Sequence, residues 1–442
     1  MTTPLSKLPL MLALLIACVL SAKAAAAEQG GGAAEQGGAA TYYAPDPVLQ
    51  QFIESALEAN PAIQEMLARS RAAELRVPQV TSLPDPMLNV GQAIQRPETR
   101  VGSQLNTLSI SQVFPWFGKL DLRGQMATQE AIASSQLYVG RQRDVIVAVK
   151  RAFYDLAYVH TAMAISQEER ALLDHYEQLS QSRYSTGQGL QQAVIKIQAE
   201  ITKVVSRLDT LNQQRVTLAT RLNTFMNRPP DTPLPPVVRP TLPDVDLDLD
   251  GLYRLGDEHR QELLASRALT ERSERGIDLA KKDYWPDVAI GASYTNILGR
   301  DVLPPPPDNG KNALTVSVGV SIPLWREKYR AGVQRATEET LAQRRNYEAV
   351  QNEVEFAVRD QVARLETLRG QVRLFNDVLI PQAEEALRST ESAYQTGQVG
   401  VLDLLDGERV LLQVRLGNAR QEADFLVALA ELERAVGTKF PG

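Results

Sequence analysis

The chain has 442 residues, of which 44% are hydrophobic, and a formal net charge of −6. That charge gives no basis for a nucleic-acid partner, and a single cysteine excludes an intrachain disulfide. The three histidines, His160, His175 and His259, are too far apart in sequence to suggest a metal site, and nothing calls for a cofactor.

The first residues read as a secretory signal. Met1 to Lys7 is a short, weakly positive start, and Leu8 to Ala17 is apolar apart from one proline. This run is too short to span a bilayer as a helix. Two processing sites compete. A cut after Ala24 gives a signal of residues 1–24. Alternatively, Leu15-Ile16-Ala17-Cys18 has the form of a lipobox, which gives a signal of residues 1–17 and makes Cys18 the lipidated N-terminus. Residues 25–45 are low-complexity Ala, Gly, Gln and Glu and read as a flexible tether. No later segment has eighteen consecutive apolar residues, so no transmembrane helix is expected after the signal.

From residue 46 onward the chain is written twice, at an offset of about 209 residues. Residues 46–228 form the first copy and 251–437 the second, with a Pro/Asp-rich linker at 229–250. Landmarks repeat at this offset: Val77-Pro78 with Trp285-Pro286, Pro115 with Pro323, and Tyr184-Ser-Thr-Gly187-Gln with Tyr394-Gln-Thr-Gly397-Gln. The period is far too long for a solenoid. Each copy should open with an incoming helix, over 47–77 and 252–284. Two alternating segments follow in each copy, at about 87–95 and 105–115, and at about 287–296 and 313–324. The clearest is Leu314, Val316, Val318, Val320 and Ile322, interleaved with Thr315, Ser317, Gly319 and Ser321. Strict alternation means a strand with one apolar face. Then come helical patterns of unusual length, about 118–185 and 326–395, with Pro381 expected to disturb the second. A helix of that length spans roughly 100 Å and needs neighbours along most of it. Glycine turns at Gly187 and Gly397 reverse the chain into returning helices at about 190–227 and 401–436.

The strands fit either a soluble sheet on a core or a membrane barrel. Two hairpins supply four strands, too few to close a barrel, and open edges are intolerable in lipid. Several chains must therefore combine, and three would give twelve strands. The expected fold class is mainly α with a small transmembrane β part: a duplicated β-hairpin plus long α-hairpin, assembled as a trimeric twelve-stranded barrel on an α-helical barrel.

These features together resemble the TolC-like outer membrane efflux protein family over about residues 46–437. The anchors are the paired YxTGQ turns, the Pro-aromatic strand exits, and Tyr394-Gln-Thr-Gly397-Gln-Val-Gly-Val-Leu-Asp403-Leu-Leu-Asp406. The resemblance implies a homotrimer in outer-membrane lipid with a helical tunnel in the periplasm. It implies an exit duct, not an enzyme, working with a periplasmic adaptor (membrane fusion protein) and an inner-membrane pump. It also implies that Asp403 and Asp406 form a periplasmic constriction that favours cations, and that Tyr394 helps hold the closed state. The sequence departs from the pattern at Val399, where gated relatives carry an arginine. In the first copy Ala193 and Lys196 stand where the second has Asp403 and Asp406. Leu83-Pro-Asp-Pro86 and Phe114-Pro-Trp-Phe-Gly-Lys119 resemble the heavy-metal and cation branch served by RND-type pumps. Export of drugs or other small molecules is the alternative, and a periplasmic coiled-coil adaptor is a further one that the alternating strands disfavour. No nucleophile elbow, HExxH or phosphate loop supports an enzyme.

Overall fold

The computed structural model describes residues 46–439; the signal, the tether and Cys18 lie outside the described residues. The elements run α1 (Pro47–Ala59), α2 (Pro61–Thr81), β1 (Met87–Gln92), β2 (Glu98–Thr99), β3 (Gly102–Phe114), α3 (Lys119–Ser185) and α4 (Gln191–Phe225). The second copy gives α5 (Leu249–His259), α6 (Gln261–Lys282), β4 (Val288–Leu298), β5 (Ala313–Val320), α7 (Arg326–Leu374), a π-helical turn (Phe375–Leu379), α8 (Ile380–Gln395) and α9 (Val401–Val436). No described helix is long and apolar enough to cross a membrane.

Each incoming helix is two helices, which differs from the single one expected. In the first copy the break falls at Asn60. Its side chain accepts from the Ala62 N–H at 3.0 Å and donates to the Phe225 carbonyl at 2.9 Å. Pro61 follows at the first helical position, where its missing N–H costs nothing. In the second copy the break falls at Arg260, whose backbone is extended at φ −68° and ψ 115°. The long helix α3 has 67 residues. Its counterpart is interrupted. Pro381 cannot donate to the carbonyl four residues back, and its ring crowds that carbonyl. The ladder widens just upstream, where the Ile380 N–H bonds to the Phe375 carbonyl five residues earlier.

The strands form one antiparallel sheet in the order β1-β3-β4-β5, with the two-residue β2 paired to β3. The two hairpins therefore lie side by side through β3 and β4. The first strand stops at Gln92 and the last at Val320, short of the ends expected from the pattern. In the last case the Ser321 N–H still bonds to the Asp287 carbonyl at 3.0 Å, and Pro323, which has no N–H, ends the ladder. The register aligns like with like. Leu88, Ile110, Ala292 and Val316 form one row, and Val90, Leu108, Tyr294 and Leu314 the next. The opposite face holds the rows Asn89, Ser109, Ser293, Thr315 and Gly91, Thr107, Thr295, Ala313. None of the four longer strands contains a charged residue.

The helices hold two main cores. The larger gathers Phe52, Phe153, Leu222, Leu252, Val358, Leu365 and Leu432, where α1 and α5 pack on the long helices. The linker joins it: Val237 and Val245 are buried there, and Arg239 pairs with Glu422 at 2.6 Å. The smaller core lies towards the glycine turns and gathers Leu173, Tyr176, Ile197, Val204, Leu387, Tyr394 and Leu404.

Phe153 is fully buried and meets Phe52 edge to face at 6.0 Å. Phe153→Ala should cost about 3–5 kcal/mol and lower the thermal midpoint in detergent without changing helical content at low temperature. An unchanged midpoint would show that this cluster is not the principal core.

Candidate functional site

The two glycine turns are built alike. In the first, Gly187 takes φ +75° and the Gln188 N–H bonds back to the Arg183 carbonyl at 2.9 Å. In the second, Gly397 takes φ +79° and the Gln398 N–H bonds back to the Ala393 carbonyl at 2.8 Å. Both are left-handed helix ends that need glycine to avoid a Cβ clash. The preceding threonine is explained too. The Thr186 hydroxyl donates to the Ser182 carbonyl and the Thr396 hydroxyl to the Ser392 carbonyl, each at 3.2 Å.

The tyrosines of the two turns have different surroundings. Tyr184 is 42% exposed, whereas Tyr394 is 6% exposed. The Tyr394 hydroxyl shares a 2.7 Å hydrogen bond with Ser180 on α3. Arg183 donates to the Tyr394 carbonyl at 2.5 Å and lies over its ring, 5.1 Å from the centroid. Its guanidinium also sits 3.3 Å from where a Cβ on Gly397 would lie. Arg183 thus clasps the second turn from the first. One turn further from the tip, the Tyr176 hydroxyl donates to Glu391.

Asp403 and Asp406 are both exposed, three residues apart on the first turns of α9, and so share a face. Asp403 accepts from the Gly400 N–H at 3.0 Å, which caps the helix start. Asp406 lies 3.9 Å from the Arg409 guanidinium. Tyr394 does not pair with either aspartate; its partners are Ser180 and Arg183. Among the described residues no group of His, Cys, Asp and Glu could hold a metal ion.

Arg183 and Ser180 were not singled out from the sequence. A signal exists in the duplication: at the offset of the turns, Arg183 falls opposite Ala393, so the copies diverge there. Arginine beside a tyrosine motif is too common to be informative without the fold.

At the other end of the long helices, the sheet meets the helices through aromatic side chains. Trp116 and Trp285 stack at 5.1 Å with planes 9° apart. Lys119, buried beside them, reaches Asp287 at 2.9 Å and the Trp285 carbonyl at 3.2 Å. Trp325 is exposed just before α7, so all three tryptophans of the chain lie at strand–helix junctions.

Paired β-hairpins on paired helical hairpins, with an uncovered apolar sheet face, define the architecture of an outer-membrane channel subunit. Comparison with known proteins places it further. Residues 252–438 match the family model described as Outer membrane efflux protein. Outer membrane protein TolC of Vibrio cholerae is 22% identical over 197 residues, which is 43% of this chain and 43% of that protein. Nodulation protein T of Rhizobium leguminosarum is 21% identical over 89% of this chain and 86% of its own length. The crystal structure of the outer membrane protein VceC from Vibrio cholerae superposes with a TM-score of 0.74 at 19% identity, covering 89% of this chain and 96% of that one. The second copy thus carries the pattern of the outer membrane efflux protein family, and the chain is similar to TolC-like members of it over most of its length. It is an efflux channel protein of the bacterial outer membrane, with its helical part in the periplasm.

Arg183→Met should free the Tyr394 carbonyl and ring and raise single-channel conductance or open probability in planar bilayers. Tyr394→Phe, which loses only the Ser180 hydrogen bond, should do so less. Conductance traces indistinguishable from wild type for both variants would show that the clasp does not restrain the tip.

Proposed function

We propose that this chain is one third of a passive exit duct for a tripartite efflux system of the heavy-metal or cation type. In that system an inner-membrane RND-type pump and a periplasmic adaptor deliver cargo to the helical tips. The observation that carries the duct is the sheet with two unlike faces and two free edges. Its apolar face stands open, with Val316 71% and Val90 75% exposed, and no described helix packs on it. Its other face is Ser, Thr, Asn, Gly and Ala, with Met87 and Val113 at the helix-side end. Lipid on the first face and water on the second satisfy both. The tryptophans at the strand–helix junctions suit the membrane boundary, where aromatic rings have one apolar and one wet side.

The free edges of β1 and β5 require further strands, since unpaired backbone groups are not tolerated in lipid. A homotrimer supplies twelve strands in register with the family's plan. The helices support the same closure. Ile195, Val205 and Val216 on α4, and Phe356, Leu374 and Val378 on α7 and its π turn, are exposed apolar side chains. A ring of three copies brings such flanks together head to tail. Tyr184 fits as well: it repeats Tyr394 in sequence but lacks cover, and the next copy's hairpin would provide it.

In that ring, Asp403 and Asp406 from each copy face one opening and form the cation-favouring constriction, by plain electrostatics. The tip turns at Gly187 and Gly397 are the surface offered to the adaptor. The Pro-Asp-Pro segment before β1 and the Pro-Trp-Phe-Gly-Lys segment after β3 support the cation-type cargo. The duct performs no covalent chemistry.

Purified protein reconstituted in planar bilayers should conduct as a trimer, prefer cations, and be blocked by a trivalent cation from the periplasmic side. Replacing both aspartates, Asp403→Asn with Asp406→Asn, should weaken the block severalfold while conductance persists. Unchanged block would remove the aspartates from the constriction, and absence of any conductance would contradict the duct itself.

A further inference from the structure

A second cluster of charges lies buried between the helical hairpins, about 10 Å along α9 from its start at the tip. Glu408 on α9 is 6% exposed and Glu169 on α3 is 8% exposed. Glu169 pairs with Arg207 on α4. Glu200, also on α4, takes Lys203 at 2.9 Å and Arg409 of α9 at 2.8 Å. Tyr176 of α3 and Glu391 of α8 close the cluster from the tip side. Glu408 thus faces Glu169 and Glu200, on α3 and α4, and cations that are already engaged: Arg207 with Glu169, and Arg409 with Glu200 and Asp406. The further pairs of Arg415, with Glu384 at 2.8 Å and Glu168 at 3.4 Å, lie beyond it along α9. Around it, Leu173, Val204, Leu387, Leu404 and Leu405 exclude water.

Four carboxylates, Glu169, Glu200, Glu391 and Glu408, therefore share this seam with three cations, Lys203, Arg207 and Arg409. Exposed Asp406 also reaches Arg409, at 3.9 Å, so acids outnumber cations here. Of the cluster's two buried carboxylates, Glu169 has Arg207 and Glu408 has no ion pair, and a buried charge without a partner is strongly disfavoured.

We propose that this cluster is a proton-operated joint: with Glu408 neutral, α9 stays docked on α3 and α4, and with Glu408 ionised, the tip-side turns of α9 lift from that seam. Burial, reinforced by the charge of Glu169 and then of Glu200, pushes Glu408 up to about 7 against the opposing pull of Arg207 and Arg409. Burial also raises Glu169, against Arg207. For Glu200, burial works upward but the hydrogen bonds from Lys203 and Arg409 bring it below the usual range. Burial and the hydrogen bond to Glu391 keep the Tyr176 phenol protonated. In a lifted seam Glu408 is hydrated and returns to its ordinary value of 4.5. Docking is then firmest below that value and weakens as pH rises through the interval up to about 7, above which it is flat. Because the periplasm follows the external pH, such a joint would make the tip firmer in acid. The joint lies within one chain, so it does not depend on trimer closure; its effect on conductance does rest on the proposed duct.

The test is hydrogen–deuterium exchange of full-length protein in detergent at pH 5 and pH 7.5, corrected for the intrinsic exchange rate. Wild-type amides over 404–412 should lose protection roughly fiftyfold at the higher pH, as a shift from 4.5 to about 7 implies over that interval. Glu408→Gln should keep that segment protected at both pH values. Glu169→Gln, which removes the neighbouring negative charge, should move the wild-type transition to lower pH. It also serves as the test if the first variant does not assemble. Wild-type protection that ignores pH, a Glu408→Gln protein that retains the wild-type transition, or a transition unmoved by Glu169→Gln would each overturn the joint. Exchange that responds to pH in a protein that conducts at no pH would count against the duct and not against the joint.

Discussion

An open sheet edge cannot be left in lipid, and that constraint organises the rest of this molecule. Backbone N–H and C=O groups have no water to bond in a bilayer, so a four-strand sheet with two free edges is incomplete by itself. The register makes the same demand sideways. Among the described residues its apolar rows have no protein layer over them, and its small polar rows have none either. Whatever covers these faces must be apolar on one side and aqueous on the other. Completion by further copies meets the edge demand and simultaneously gives helices of 67 and 49 residues the neighbours that such length requires.

The duplication supplies scaffold economically, but the copies are not equivalent. Their glycine turns share the same backbone bonds and the same threonine caps. Beyond that they diverge where function is proposed. The acidic pair belongs to the second copy, where the first has Ala193 and Lys196. The clasp runs the other way, from Arg183 of the first copy onto Tyr394 of the second. An arginine two residues after the turn glycine is missing at Val399, yet an arginine still holds this tip, from the neighbouring hairpin. The same asymmetry recurs deeper in the seam, where Glu408 of the second copy meets Glu169 and Arg207 of the first.

Much of this was legible in the sequence because it is periodic. Alternation of Leu314, Val316 and Val318 with Thr315, Ser317 and Gly319 is a local pattern, and the pleat enforces it. A glycine at φ +75° leaves a similarly local mark. What the sequence hid is what depends on register between distant segments. The pairing of β3 with β4, which lays the two hairpins side by side, joins residues such as Ile110 and Ala292 across the whole linker. The break at Arg260 carries no proline to announce it. Pro381 was visible, but the widened turn sits upstream of it, because the ring disturbs the carbonyl four residues earlier. Arg183 and Glu408 look like ordinary helical charges until neighbouring helices bury their partners. Asp403 and Asp406 sit on one exposed face of α9, while the ring they form in the proposed trimer needs copies that one chain cannot display.

The central claim is that the sheet is a segment of a membrane barrel with lipid on its apolar face and water on the other. Spin labels placed one at a time along β5, from Leu314 to Val318, measure this directly through their accessibility to lipid-dissolved oxygen and to a water-soluble nickel chelate. The account predicts a period of two, with Leu314, Val316 and Val318 open to oxygen and Thr315 and Ser317 open to the chelate. Uniform access to the chelate along the strand, or protection of the apolar positions from both reagents, would contradict it.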